Sequence, residues 1–341
     1  MRYAIGLDVS DKDVTSSCVT PVFHAQAGLL EYQTIWYAIP FEQTPAGYAA
    51  LIALMRQHQI PPSDVTLIME STGVYSERLS HFLYDQGLPV CVEPPLKIHA
   101  AFYERGKTDP IDSRQIGEYG FRFADQLHLW HPREAIIDQI ATLLTMREQL
   151  VKMQTASKNF RKSLQRKHQA FPDLLEMSQT LGQDFKQRIT TLETAIRAQI
   201  ATNPLLQQTT DHLLLIKSAG FLLVVNFLVM TEGYTQHLTY QDLASYSGVC
   251  PFEHRSGTSV YRRPQADGAG PERLRKLLYL AAMRVRQTNP EFKTYYERKV
   301  KAGKSGRLVL TNIENRLLKL MCGVVKSGKP YIEGYTSAKP G

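Results

Sequence analysis

YAIGLDV, residues 3–9, and DVTLIME, residues 64–70, are two near-continuous apolar runs that close on carboxylates, Asp8 and Glu70. Apolar runs without polar alternation read as strands buried on both faces, the central members of a sheet covered by helices. Working outward, VTSSCVTPVF (14–23) and YQTIWYAI (32–39) read as a second and third strand. After the turn residues Gln43 to Gly47, YAALIALMRQHQ carries Leu51, Leu54 and Met55 at helical spacing. YSERLSHFLYDQ reads as a helix stopped by Gly87, and LPVCVEP as a short strand before Pro94-Pro95. The order β-β-β-α-β-α-β-α over residues 1–130 predicts an α/β domain.

The segment KTDPIDSRQ (107–115) follows this pattern and holds two aspartates three apart. Asp109 suits a helix N-cap, Pro110 the first helical position, and Asp112 then falls at the third, on the same face as Asp109. Taken alone, the segment reads as a capping arrangement in which Asp112 complements the helix dipole. With Asp8 and Glu70 closing buried strands, four acids are expected to converge at the mouth of the sheet. Such a cluster repels itself unless divalent cations sit in it, and hard oxygen ligands select Mg²⁺ or Mn²⁺. Two such ions stabilise the attacking and leaving oxygens of a phosphodiester.

The charge agrees. The 341-residue chain carries +8 net, and residues 255–307 hold 14 Lys/Arg against 4 Asp/Glu, so the basicity is regional and favours a nucleic-acid surface. A new helix opens near Pro132, with Ile137, Ile140, Leu144 and Val151 at coiled-coil spacing. A second, after Phe171-Pro172, carries Leu181, Phe185, Ile189, Leu192 and Ile196. Residues 131–203 therefore read as an antiparallel hairpin or a dimer arm. The first helix carries Lys152, Lys158, Arg161, Lys162, Arg166 and Lys167 in a stretch without acids, either a solvated face or a nucleic-acid contact. Residues 204–330 read as helical with Gly/Ser joints, and 331–341 as a tail.

Other signals fall away. Cys18, Cys91, Cys250 and Cys322 show no metal-ligand spacing and are expected to be reduced and mostly buried. AGKSG (302–306) lacks the first glycine of a P-loop, since Arg298 stands there. His24, His58, His81, His99 and His131 form no ligand spacing and read as surface or core residues. FLLVVNFLVM (221–230) is too short to span a bilayer, and the start lacks the apolar region of a signal peptide, so a cytosolic protein without membrane contact is expected.

AIGLDVS, IMESTGVY and KTDPIDSRQ together resemble the RuvC-like domain of the DEDD insertion-sequence transposases, the bridge-RNA-guided recombinases. YSGVCPFEHRSGTSV (246–260) resembles that family's stretch around its nucleophilic serine, and the run from Pro271 to Tyr331 resembles its closing helical region. The resemblance implies an RNase H/RuvC-like N-terminal domain, a coiled-coil middle and a helical C-terminal transposase domain. It further implies a Mg²⁺ site at Asp8, Glu70, Asp109 and Asp112. Ser256 would be the nucleophile, beside Arg255, Arg262 and Arg263, forming a covalent phosphoserine and a free 3′-hydroxyl. Its implied partners are target and donor DNA, an element-encoded noncoding RNA, and further copies of the chain, dimers assembling to tetramers in a prokaryotic, nucleoid-associated setting. From spacing alone, Ser256-Gly257 reads as a turn between helices.

The family's IPGIG-like hairpin stands here as IKSAG (216–220), without its proline and first glycine. Two other readings of the acids remain at this point. One is a hydrolytic junction-resolving nuclease, and the other an actin-like ATP-binding protein.

Overall fold

The computed structural model describes residues 1–24, 29–102, 112–169, 171–232, 239–249, 251–256, 260–266 and 272–332. It divides into two compact units, Met1–Pro132 and Arg133–Gly341.

In the first unit, β1 (Tyr3–Val9), β2 (Asp13–His24), β3 (Leu29–Glu42), β4 (Val65–Glu70) and β5 (Val90–Glu93) form one sheet in the order β3-β2-β1-β4-β5. β1 runs antiparallel to β2 and parallel to β4, and β5 is parallel to β4. Three strands in a meander followed by two parallel strands joined through helices is the RNase H-like, RuvC-type sheet that the sequence predicts. The connecting helices are α1 (Pro45–Gln57) and α2 (Val74–Asp85), with α3 (Pro95–Ala101) and α4 (Ser113–Arg122) following β5.

Side-chain alternation sorts the central strands onto two cores. Ile5, Leu7, Val9, Leu67, Met69 and Val90 face a core shared with Tyr48, Leu51, Met55, Leu79 and Leu83 of α1 and α2. Ala4, Ile68 and Cys91 face the other way, onto Ile98 of α3 and Ile116 and Tyr119 of α4. Both cores are needed because a parallel strand pair is stable only when both faces are covered.

α4 lies unusually close to the sheet. A Cβ on Gly6 would stand 1.9 Å from the Ser113 carbonyl oxygen, and one on Gly120 would stand 2.6 Å from Ile68 Cδ1. These two glycines set the approach of the helix, and with it the position of everything at its N-terminus.

The second unit opens with a helical hairpin, α5 (Ala135–Gln165) and α6 (Pro172–Ala201). Arg147 Nη2 meets Glu193 Oε1 at 2.7 Å, and Gln154 reaches the Gly182 carbonyl at 3.4 Å, which fixes the antiparallel register. Near its base Ile137, Ile140, Leu144, Ile196 and Ile200 join the core of α7 (Pro204–Leu214), α8 (Phe221–Met230), α9 (Tyr240–Tyr246), α10 (Glu272–Thr288), α11 (Pro290–Lys301) and α12 (Gly306–Ser327). Leu181, expected in the seam, is instead 46% exposed. The all-helical expectation for residues 204–330 needs one correction. β6 (Pro251–Ser256) and β7 (Val260–Ala266) form an antiparallel two-stranded ribbon. No described helix is long and apolar enough to cross a membrane.

Candidate active site

The acids are placed by strand register. The parallel β1–β4 ladder pairs Leu7 with Met69, so the next residues, Asp8 and Glu70, leave neighbouring strands side by side on the α4 face. Glu70 is itself in register with Glu93 of β5. Three carboxylates thus lie in a row across three strands. Glu93 is neutralised by Lys97 Nζ at 2.9 Å, from the first turn of α3. Asp8 and Glu70 have no such lysine among the described residues.

Asp112 closes the arrangement from the helix side, and here the expected capping changes. Asp112, not Asp109, is the N-cap of α4: its Oδ1 accepts the Gln115 N–H at 2.8 Å, and Gln115 Oε1 accepts the Asp112 N–H at 3.3 Å. This reciprocal capping box satisfies two orphan donors at once. It moves the helix start three residues beyond the expected one. Asp109 lies outside the described residues. Tyr37 adds a donor from β3, its hydroxyl reaching Asp112 Oδ2 at 3.1 Å.

The charges sense one another. The Asp8 carboxyl is pushed above the ordinary range by burial, then by the negative charges of Asp13 and Asp112. Burial raises Glu70 too, with Asp8 adding to the shift and His99 opposing it. His99 is a surface residue, as expected, with its side chain 53% exposed, and its Nε2 stands 3.8 Å from Glu70 Oε1 at the edge of the acid row. Like charges brought together and partly dried are unfavourable as they stand, and a hard cation is what their donor chemistry suits. Among the described residues, no group of three or more His, Cys, Asp or Glu is close enough to hold a metal ion by itself.

Glu93, His99, Tyr37 and Asp13 were not legible as site residues. Glu93 ends an apolar run as Asp8 and Glu70 do, VCVE, and that signal could have found it. The others come into place only through tertiary contacts.

In the second unit, Ser256 is the last residue of β6 and pairs with Val260 across residues 257–259; it ends a strand rather than standing in a loop between helices. Arg255 pairs with Tyr261 and Arg262 with His254, and Arg263 lies within β7. The side chains of this ribbon lie outside the described set, as do Thr258 and Ser259. The IKSAG segment joins α7 to α8. Ser218, at the place of the family's first glycine, takes φ +74, the left-handed region that glycine enters most easily. On the hairpin, Lys158, Lys162, Arg166 and Lys167 are exposed and Arg161 is half-buried. Lys152 pairs with Glu148 at 3.9 Å, and the other five have no ion-pair partner among the described residues. Cys18, Cys91 and Cys322 are free and buried, their thiols pushed up to about 12, 11 and 11 by burial, and Cys250 lies outside the described residues.

Residues 5–168 match the family model DEDD_Tnp_IS110, described as a transposase, and residues 210–297 match that of the transposase IS116/IS110/IS902 family. The pilin gene-inverting proteins of Moraxella lacunata and Moraxella bovis are each 26% identical over 304 residues, 87% of this chain and 91% of theirs. An insertion element IS110 protein of Streptomyces coelicolor is 26% identical over 140 residues, 41% of this chain and 33% of its own length. Among solved structures, Thermus thermophilus RuvC aligns with 11% identity and a TM-score of 0.28, over 38% of this chain and 99% of RuvC. Both transposase matches run in order along one polypeptide and together span most of it: the chain belongs to the IS110 family of transposases.

Proposed function

We propose that the chain exchanges DNA strands through a covalent phosphoserine, with the nucleophile on the β6–β7 ribbon and the electrostatics supplied by the acid row. The observation that carries the acid half is the register that sets Asp8 beside Glu70, with Asp112 close enough for its charge to act on Asp8. Asp8, Glu70, Asp112 and, from the sequence, Asp109 would hold Mg²⁺ or Mn²⁺. A bound divalent ion would supply positive charge to a phosphodiester brought to the mouth of the sheet.

Ser256 Oγ attacks phosphorus, forming an ester to serine as the bond to the 3′-oxygen breaks. The serine proton is lost and the departing 3′-oxygen gains one, so the net proton count is unchanged. Attack by another strand's 3′-hydroxyl on the phosphoserine reverses the chemistry and rejoins DNA without a high-energy cofactor. Arg255, Arg262 and Arg263 on the same ribbon would stabilise the phosphorane-like charge.

This reading is favoured over a hydrolytic nuclease by the relatives named for gene inversion, because inverting a segment requires joined ends. We extend it to assembly. Met146, Met153 and Phe160 recur every seven residues along the outer face of α5, each more than half exposed, with Met177 and Leu181 exposed on α6. A heptad-spaced apolar stripe on a helical hairpin suits a second copy of the chain. The dimers would pair into a tetramer in which the RuvC-like unit of one subunit serves the serine of another. The exposed Lys158, Lys162, Arg166 and Lys167, with Arg161, would follow a nucleic-acid backbone. An element-encoded RNA would specify target and donor by base pairing, leaving the protein to read shape and backbone.

The test is recombination of a plasmid carrying the element ends in cells expressing the full chain. Wild type is expected to yield joined products, and Ser256→Ala and Asp8→Ala none. Full recombination by Ser256→Ala would overturn the serine mechanism.

A further inference from the structure

β3 does not run regularly past β2. The ladder pairs Ser16 with Ile39 and Cys18 with Trp36, leaving Tyr37 and Ala38 opposite Ser17 alone. Ala38 takes φ +49, in the left-handed region. One strand carrying an extra residue is a β-bulge, a device that re-aims side chains at the edge of a site.

Both residues of this bulge reach the N-terminus of α4. The Ala38 N–H donates to Ser17 Oγ at 2.9 Å, and Ser17 Oγ lies 2.8 Å from Ser113 Oγ, with both serines buried. That chain of contacts ties the first residue of the helix to the sheet. The Tyr37 hydroxyl donates to Asp112 Oδ2 at 3.1 Å, while Oδ1 accepts from the Gln115 N–H. Among the described residues each carboxylate oxygen therefore accepts one side-chain or backbone hydrogen bond, leaving it a second lone-pair direction. Tyr37 is 58% exposed, so packing does little to hold its ring there.

We propose that Tyr37 is a positioning residue for Asp112, its hydroxyl fixing the rotation of the carboxylate so that the free lone pairs serve the acid site. Ser17 and Ser113 set where the helix begins, and Tyr37 sets how its capping carboxylate is turned. Carboxylates that hold metal are themselves hydrogen-bonded in this way, and losing such an outer partner typically weakens metal binding about 10- to 100-fold. The inference rests on the reading of the acids as a divalent-cation site.

The test is Mn²⁺ titration of the full chain followed by electron paramagnetic resonance, with thermal midpoints measured in EDTA. Tyr37→Phe is expected to weaken Mn²⁺ binding about 10- to 100-fold with its midpoint unchanged, and Asp8→Ala to abolish binding. Unchanged or tighter binding by Tyr37→Phe, with binding lost in Asp8→Ala, would overturn the positioning role and leave the acid site standing. A weakened affinity with a matching fall in midpoint would mark Tyr37 as merely structural. Wild-type binding in Asp8→Ala would instead remove the cation site and the inference with it.

Discussion

Glu70 and Glu93 sit opposite each other in the β4–β5 ladder, yet only Glu93 is answered by a lysine. The Glu93 side chain is 5% exposed, and an isolated charge there would be costly. The Lys97 ammonium makes it a structural group. Among the described residues Glu70 has only His99, at 3.8 Å, which leaves its charge available.

Lys97→Ala should therefore act on stability, by leaving Glu93 buried and unpaired. Removing one partner of a buried pair costs about 3 to 5 kcal/mol, and the partial exposure of Lys97 places the expected loss near the lower end, about 3 kcal/mol. Urea unfolding with an unchanged m-value would measure it.

Gly6→Ala tests the close approach that brings Asp112 to the sheet. The new Cβ would fall 1.9 Å from Ser113 O and 2.3 Å from Gly117 N, both backbone atoms, so the start of α4 must lift. Overpacking of this kind costs about 1 to 3 kcal/mol. The variant should unfold at lower urea and lose Mn²⁺ affinity, because the helix carries Asp112 away with it.

The acid row should also make the protein's stability depend on pH in the absence of divalent ions. Asp8 and Glu70 have folded pKa values raised above the ordinary 3.8 and 4.5, so the folded state holds their protons longer than the unfolded chain does. Their contribution is fully present below the unfolded values and is lost as pH rises through the folded ones. In EDTA, Asp8→Asn should lose less stability than wild type over that rise. Added Mg²⁺ should restore wild type and leave Asp8→Asn unmoved, as read by thermal melts.

Glu314 of α12 gives a second, separable pH effect. It is 6% exposed, and burial lifts its carboxyl to about 7 against the opposing charges of Arg307 and Arg275. Its stabilising contribution is present below the unfolded value of 4.5 and disappears as pH rises through about 7. Glu314→Gln should be more stable than wild type at pH 8 by roughly 2 to 3 kcal/mol, with the difference closing by pH 4. Equal stability at both pH values would contradict the burial argument.

Much of the first unit was legible because its signals are local. Apolar runs ending in acids place β1 and β4, and Gly87 stops α2 near where it is expected. The start of α4 is ambiguous in the sequence because Asp109 and Asp112 are both good N-caps, and Gln115, which completes the box with Asp112, decides between them. The β6–β7 ribbon is hard to read from sequence because its charged residues, Glu253, Arg255, Arg262 and Arg263, break the apolar alternation of a strand. Tyr37 could not be found at all: it depends on a bulge set by how two strands pair, and nothing in the local sequence announces that.

Serine-mediated strand exchange can be trapped on a DNA duplex with a nicked, non-rejoinable strand, and any protein–DNA adduct mapped by peptide mass spectrometry. The expected product is a nucleotide joined through its 5′-phosphate to the peptide containing Ser256, formed by wild type and absent in Ser256→Ala and Asp8→Ala. Cleavage that leaves a free 5′-phosphate, with no adduct on any serine and full activity in Ser256→Ala, would contradict it.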